Sequence, residues 1–122
     1  MDSPLATELR LRTTSKLLQV SFQDGAVFEL PFEYLRVHSP SAEVKGHGPG
    51  QEVLVTGKSG VGIKAVEPVG QYAVKLVFDD GHDTGLYTWK YLYELGRDRE
   101  ANWQRYRERV AAATVAHGGG GA

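Results

Sequence analysis

Hydrophobic and polar residues alternate along the first part of the chain in the manner of paired β-strands. In the run 16–22, hydrophobic residues fall on every second position, which is the period of a strand with one face on a core. The run 26–30 alternates in the same way after Asp24-Gly25, and an Asp-Gly turn between two alternating runs is a strong hairpin signal. We therefore expect a hairpin that ends at Pro31, followed by a short helix over 32–38.

The second half of the chain repeats this plan. The run 72–78 alternates, an Asp-Gly turn follows, and the run 82–88 returns. A duplicated strand-turn-strand-helix unit explains this repetition, and convergence on common turn chemistry explains it equally well. The matched segments are Phe22-Gln23-Asp24-Gly25 with Phe78-Asp79-Asp80-Gly81, and Phe32-Glu33-Tyr34-Leu35 with Trp89-Lys90-Tyr91-Leu92.

The remaining segments complete an α+β fold. The stretch 39–59 is rich in Gly, Ser and Pro, with 52–56 as a candidate short strand. The run 61–67 predicts a strand that turns at Pro68-Val69-Gly70 into the strand over 72–78. The pattern thus predicts a mainly antiparallel sheet built from two strand-turn-strand-helix units.

The end of the chain predicts an amphipathic helix. Gly96 is typical of the stop of a short helix that begins near Trp89, and Asp98 is a suitable cap for the next helix. Hydrophobic residues then recur at helical spacing, which gives one apolar stripe for docking. The stripe consists of Trp103, Tyr106, Val110 and Ala113.

The polar face of this helix admits two interpretations. Its arginines could form a surface for phosphate or for an acidic partner. Because acidic residues are interspersed, the same pattern is also typical of an ordinary solvated face. The residues concerned are Arg99, Arg105, Arg107 and Arg109, mixed with Glu94, Glu100 and Glu108.

These elements predict the division of the chain and the composition of its core. We expect a flexible N-terminus over 1–8, a domain over 9–96, a C-terminal helix over 97–115 and a disordered Gly-rich tail over 116–122. The large hydrophobic residues of the two units should be buried together. They are Phe22, Phe28, Leu35, Val74, Phe78, Trp89 and Leu92.

Composition narrows the class of function. With 14 Lys and Arg against 15 Asp and Glu, the net charge of −1 lacks the positive field that general nucleic-acid or membrane-surface binders use. No stretch approaches the roughly 20 apolar residues of a membrane span, and no signal peptide is evident, so a cytoplasmic location is predicted. The absence of cysteine excludes disulfides, thiolate nucleophiles and thiolate-held zinc or iron–sulfur sites built by this chain alone.

One polar segment stands out as a candidate metal site. Carboxylates and an imidazole fall within one turn at Asp80, His82 and Asp83. His38 after the short helix and His47 in the Gly-rich loop are further histidines that could converge on the same site. Alternatively, Asp and Gly serve the tight hairpin itself, with aspartate oxygens bonded to nearby backbone amides. Spacing alone does not decide between a metal site and turn chemistry.

Three segments resemble a known family. The runs 35–48, 67–74 and 80–89 are similar to the gamma-butyrobetaine hydroxylase-like N-terminal domain, in particular to its stand-alone bacterial branch of unknown function. The most specific part is the run that begins Asp80-Gly81-His82 and continues through Gly85 and Tyr87 to Trp89. The resemblance covers about 9–96 and leaves out the last helix.

The resemblance carries expectations about metals. In the hydroxylases this domain precedes a 2-oxoglutarate and Fe(II)-dependent catalytic domain and holds a structural zinc through three Cys and one His. The corresponding positions here are Ser39, Ser41, Val44 and His82. Hydroxyl and isopropyl groups do not replace thiolates, so this zinc is not expected, and no catalytic domain is present in the sequence to imply oxygenase chemistry.

The resemblance also implies a class of function and of partner. The same domain occurs attached to Mrp-type P-loop ATPases that carry iron–sulfur clusters. It therefore implies a non-catalytic binding or adaptor domain that binds iron or assists iron–sulfur cluster handling, with an iron–sulfur carrier ATPase or an oxygenase-type enzyme as protein partner. Contact with iron would fall on His82, His47, Asp80 and Asp83. The alternative is an accessory or regulatory subunit of a dioxygenase-like enzyme.

Overall fold

The strands form two separate antiparallel sheets. The structure, a computed structural model, describes residues 4–45 and 53–121. Each sheet has three strands, in the order β1-β2-β3 and β4-β5-β6, so the predicted α+β class is confirmed and each predicted unit builds a sheet of its own. The strands are β1 (Ala6–Arg12), β2 (Leu17–Phe22), β3 (Val27–Pro31), β4 (Ile63–Val69), β5 (Ala73–Phe78) and β6 (Leu86–Thr88).

A helix follows each sheet, and two further helices complete the fold. Thr88 caps the helix after the second sheet, where its hydroxyl accepts a 3.0 Å hydrogen bond from the Tyr91 N–H. Pro31 stands at the same place before the helix after the first sheet, and it has no side-chain oxygen to offer. The helices are α1 (Phe32–Val37), α2 (Ala42–Lys45), α3 (Trp89–Arg97) and α4 (Arg99–Gly121).

Both units contribute to one hydrophobic core. Phe22, Leu35, Val74, Phe78 and Leu92 are buried in it, as predicted. Phe28 and Trp89 are only partly buried, so that part of the prediction is wrong. Trp89 stays near the surface because its indole N–H donates a 2.8 Å hydrogen bond to the carbonyl of Gln71. Phe28 lies at the rim, where its ring packs on the backbone of Gly96.

The two Asp-Gly turns have the same hydrogen bonds. Gly25 and Gly81 adopt φ values of 91° and 93°, in the left-handed region that glycine enters without steric cost. Asp24 Oδ1 accepts the N–H two residues later at 2.9 Å, and Asp80 Oδ1 does the same at 3.1 Å. The sequence match at the turns therefore corresponds to a match in geometry.

The match extends beyond the turns. β1 and β4 each have a register shift near their start, at Ala6/Glu8 and at Ile63/Ala65. The first N–H of α1 bonds to Lys16 O at 2.9 Å, and the first N–H of α3 bonds to Tyr72 O at 2.8 Å. Turn chemistry does not dictate these features, so the structure favours duplication over convergence.

A reciprocal pair of tyrosines joins the two units. Tyr34 of α1 donates its hydroxyl to the carbonyl of Leu95 in α3 at 2.6 Å. Tyr91 of α3 donates its hydroxyl to the carbonyl of His38 at the end of α1, also at 2.6 Å. Each bond satisfies a carbonyl in the last turn of the other helix, where intrahelical partners run out.

The structure differs from the sequence prediction at several segments. The return strand covers only Leu86–Thr88 of the predicted 82–88, and Pro68 and Val69 lie in β4 and not in a turn. The prediction included neither β1 nor α2. Residues 6–8 belong to β1 and not to a flexible N-terminus, because β1 pairs along β2. No strand is assigned over 53–56, while 52 lies outside the described residues. The backbone of α4 is helical as far as Gly121, past the predicted end at residue 115, although each glycine costs about 1 kcal/mol relative to alanine there. Within the described ranges, no helix is both long and apolar enough to cross a membrane.

The reciprocal tyrosines give a testable prediction. Tyr34→Phe and Tyr91→Phe should each lower the free energy of unfolding by about 1–2 kcal/mol, because each leaves a carbonyl without its partner. Urea unfolding measures the change. Tyr72→Phe is the matched control, since Tyr72 is 69% exposed and should unfold like the wild type. If both Tyr34→Phe and Tyr91→Phe were as stable as the wild type, the two tyrosine hydrogen bonds between the units would contribute nothing to stability.

Candidate functional site

The candidate site lies where the second Asp-Gly turn meets the segment between α1 and α2. His82 follows that turn and is only 5% exposed. Ser39 and Ser41 lie between α1 and α2 and are also buried. Glu43 is in the first turn of α2. The fold therefore brings together residues that are far apart in the sequence.

His82 is held by a hydrogen bond at each ring nitrogen. Its Nδ1 is 2.9 Å from Glu43 Oε1, and its Nε2 is 2.7 Å from Ser39 Oγ. A carboxylate only accepts, so Nδ1 carries the proton that bonds to Glu43. In the neutral ring Nε2 then accepts the Ser39 hydroxyl. We call these three residues the Ser39–His82–Glu43 network.

The network has the atom order of a hydrolase triad but no accessible nucleophile. A serine bonded to a histidine that is oriented by a carboxylate is the arrangement that activates serine for acyl transfer. Ser39 is 0% exposed. A Cβ on Gly85 would lie 2.5 Å from Ser39 Oγ, so the backbone just before β6 closes directly over the hydroxyl. A substrate carbonyl has no route to this oxygen.

Neighbouring polar groups extend the network. The hydroxyls of Ser41 and Thr84 are 2.7 Å apart, and Ser39 Oγ accepts the N–H of Ser41 at 3.2 Å. Every hydroxyl in this buried region thus has a partner, which is what burial of polar groups requires. Glu43 is the solvent-facing end, with its side chain 64% exposed.

Asp80 is engaged by cations and not by His82's ring. Its Oδ2 lies 2.9 Å from Arg36 Nε and 2.7 Å from Lys58 Nζ. Burial alone would raise the pKa of Asp80. Hydrogen bonds from Lys58, from the backbone N–H of His82 and from Arg36 outweigh burial and hold that pKa well below its usual value of 3.8.

Arg36 is packed on an aromatic ring as well as paired. Its guanidinium carbon is 6.0 Å from the centroid of the Phe78 ring. Its Nη1 is buried and has no hydrogen-bond partner among the residues that the structure describes. The Asp80 ion pair is therefore part of the inter-unit packing.

The structure does not gather the predicted metal ligands around one point. His82 and Asp80 are neighbours in the turn, yet their side chains bond to different partners, and Asp83 is exposed. His47 lies outside the described residues. Within 4–45 and 53–121, no group of three or more His, Cys, Asp or Glu side chains is arranged to hold a metal ion. The metal site stays a prediction.

Several residues of the site were not anticipated from the sequence. Glu43, Arg36 and Lys58 carry no local motif, and each becomes significant only through a contact made across the fold. The useful signal was the correspondence of Ser39 and Ser41 with ligand positions in the related family, which places them beside His82. The hydrogen bonds place Ser39 against His82 and Ser41 against Thr84.

Comparison with known proteins assigns the family. The family model described as gamma-butyrobetaine hydroxylase-like, N-terminal, matches residues 9–93. The chain belongs to this family. Comparison with curated proteins gave no match.

Solved structures resemble the chain over most of its length. Two proteins with NMR solution structures are 55% and 48% identical to it, with TM-scores of 0.80 and 0.79. Each match covers 92% of this chain, and 83% and 88% of the respective relative. A crystal structure of a protein of unknown function from the DUF971 family of Acidithiobacillus ferrooxidans is 40% identical, with a TM-score of 0.65 over 78% of this chain and 98% of that one.

The family's zinc does not fit the residues present here. Ser39 and Ser41 are neutral hydroxyls already bonded to His82 and Thr84, and Val44 is a buried aliphatic side chain. Structural zinc is held by thiolates and imidazoles. Hydrogen bonds link Ser39, Ser41 and His82 here, which are three of the four positions that correspond to the zinc ligands of the hydroxylases.

The ion pairs of Asp80 predict a loss of stability in acid. Because folding lowers the pKa of Asp80, its contribution is present above the ordinary pKa of 3.8 and is lost as the pH falls through that value toward the folded pKa. Asp80→Asn keeps the Oδ1 acceptor for His82 but removes the charge. It should lower the free energy of unfolding by about 1–3 kcal/mol at neutral pH. It should also reduce the fall of that free energy between neutral and acid pH, which we call the acid limb and which urea unfolding at several pH values measures.

Asp83→Asn is the control for Asp80→Asn. It changes an exposed carboxylate in the same turn and should leave both neutral-pH stability and the acid limb as they are in the wild type. An acid limb in Asp80→Asn as steep as in the wild type would refute the assignment of this pH dependence to Asp80.

Proposed function

We propose that the protein is a non-catalytic binding domain that acts through a protein partner. The observation that carries the proposal is the complete burial of Ser39, the residue that a triad would use as its nucleophile. A hydroxyl enclosed by Gly85 and by its own hydrogen bonds serves the packing of the domain.

The Ser39–His82–Glu43 network supports a surface. It fastens the turn of the second unit to the segment between α1 and α2, and it presents only the carboxylate of Glu43 to solvent. Buried polar networks of this kind fix one arrangement of the backbone when all members are satisfied. A rigid surface built from both units is suited to docking on another protein.

The family supplies the proposed class of partner. Its occurrence beside iron–sulfur carrier ATPases and oxygenase domains supports a partner of one of these two kinds. A version of the function in which the domain itself holds iron would require His82 to give up Ser39 or Glu43. The geometry therefore supports docking without a metal held by His82.

The structural role of Ser39 is testable by substitution. Ser39→Ala should lower the free energy of unfolding by about 1–3 kcal/mol, because it leaves buried Nε2 of His82 without a partner. Ser59→Ala, at an exposed serine, is the matched control and should unfold like the wild type. Ester hydrolysis by the wild type that disappears in Ser39→Ala but not in Ser59→Ala would sink the non-catalytic proposal.

Metal content and reconstitution separate the versions of the function. Protein purified without a His tag should contain no stoichiometric iron, and His82→Gln should not change its metal content. Near-stoichiometric iron that is lost in His82→Gln would replace the docking version with the iron-binding one.

Reconstitution with candidate partners tests the docking version. We expect the domain to bind the iron–sulfur carrier ATPase of the same cell without adding turnover. Raised turnover of an oxygenase partner on addition of the domain would instead establish an accessory subunit.

A further inference from the structure

A cavity lies among the helices and shares no residue with the Ser39–His82–Glu43 network. Its volume is about 360 Å³, within the usual range for small-molecule sites. The ends of α1, α2 and α3 and one face of α4 line it. The charged or titratable side chains among its lining are His38, Lys45, Tyr91, Glu94, Asp98, Arg105, Tyr106 and Arg109.

The imidazole of His38 is part of the lining of this cavity. Its Nδ1 is 3.0 Å from the carbonyl of Tyr34, and a carbonyl only accepts, so Nδ1 carries the proton. Burial lowers the pKa of His38, and the nearby cations lower it further, so the ring is neutral at pH 7. Nε2 then keeps its lone pair, and no described residue donates a hydrogen bond to it.

The cations of the cavity outnumber its free carboxylates. Lys45, Arg105 and Arg109 form no ion pair with a carboxylate among the described residues. Asp98 is held by Arg97 through hydrogen bonds of 3.1 and 2.9 Å, which compensates its charge.

The positions of the cations focus this charge near His38. The same three cations are the charged groups that act on the His38 ring. Lys45 Nζ lies 5.0 Å from the centroid of the Tyr91 ring, and Arg105 donates to Asn102 Oδ1 at 2.9 Å. The tyrosine hydroxyls point elsewhere, since Tyr91 bonds to the His38 carbonyl and Tyr106 to the Val55 carbonyl. The cavity that remains is aromatic-walled and carries more positive than negative charge, with the imidazole of His38 and the carboxylate of Glu94 as acceptors in its lining.

We propose that this cavity binds a small oxyanion that carries an O–H group. Arg105, Arg109 and Lys45 hold the anionic oxygens, and the O–H donates to Nε2 of His38. Protonated phosphate and hydroxycarboxylates share this chemistry. The excess of positive charge disfavours a metal cation, and the volume of about 360 Å³ matches a small molecule.

The test is an NMR titration of the full chain with inorganic phosphate, with sulfate and with citrate. We expect the amide signals of Lys45, Asn102 and Arg109 to shift and to saturate with phosphate or with citrate. Saturation with phosphate identifies the ligand as a phosphate, and saturation with citrate identifies it as a hydroxycarboxylate. Phosphate should bind about 2- to 10-fold more tightly than sulfate, which offers no O–H at neutral pH, and His38→Ala should remove this difference. Shifts that fail to saturate with either phosphate or citrate would overturn the proposal.

Matched variants separate the cavity from general surface charge. Arg105→Gln with Arg109→Gln should weaken binding at least about 10-fold. Arg107→Gln is the control, because Arg107 is exposed on α4 and does not line the cavity. Glu94→Gln should strengthen binding, since it removes the unpaired carboxylate. Equal losses in the Arg107 control and in the double variant would overturn the site. None of these results bears on Ser39, so the site and the proposed function stand or fall separately.

Discussion

The fold depends on an exchange of hydrogen bonds between two equivalent units. Each unit sends a tyrosine hydroxyl to a carbonyl in the last turn of the other unit's helix, through Tyr34 and Tyr91. Neither sheet has a second layer of its own, and a three-stranded sheet needs a partner to cover its hydrophobic face. The exchange holds each helix in register over the neighbouring unit, so the core is common to both.

A second exchange of hydrogen bonds between the units fixes the two Asp-Gly turns. Asp24 accepts the hydroxyl of Tyr93 at 2.6 Å, and Asp80 accepts Arg36 at 2.9 Å. In each case the aspartate belongs to one unit and its donor to the helix of the other. One unit uses a neutral donor and the other a cation, and Lys58 adds a second cation at Asp80. The turn that carries His82 is therefore the more strongly anchored electrostatically.

The candidate site arises where the two units cease to match. When Phe32 is aligned with Trp89, Phe28 corresponds to Gly85 and Ser39 corresponds to Gly96. The ring of Phe28 packs on Gly96 in one contact, and Ser39 packs on Gly85 in the equivalent contact. The glycine is therefore on opposite sides of the two contacts. Ala26 follows the first turn and His82 follows the second. The ring of Phe28 occupies this position in the first contact. In the second contact no such ring is present, and the imidazole of His82 and the hydroxyls of Ser39 and Ser41 lie there.

Local patterns in the sequence predicted the elements that local chemistry controls. The Asp-Gly turns, the alternating strands and the helix after each unit follow from residue type and spacing, and the matched segments already indicated a repeat. The rim positions of Phe28 and Trp89 did not follow, because burial there depends on Gly96 and on the Gln71 carbonyl across the fold. Nor did the partners of His82, since Glu43 gives no signal before α2 is placed.

The polar network also explains how hydrogen bonds alone can hold the turn of the second unit against the segment that follows α1. A zinc ion would join four ligand positions through one centre, and its loss would leave buried thiolates unpaired. Here Ser39 and Ser41 are neutral, and each finds a partner within the same space, in His82 and in Thr84. Individual hydrogen bonds are weaker than metal bonds, yet an unmade one costs about 1–3 kcal/mol once buried. Substituting hydroxyls for thiolates preserves a junction between the turn and α1 only because every member of the network is satisfied.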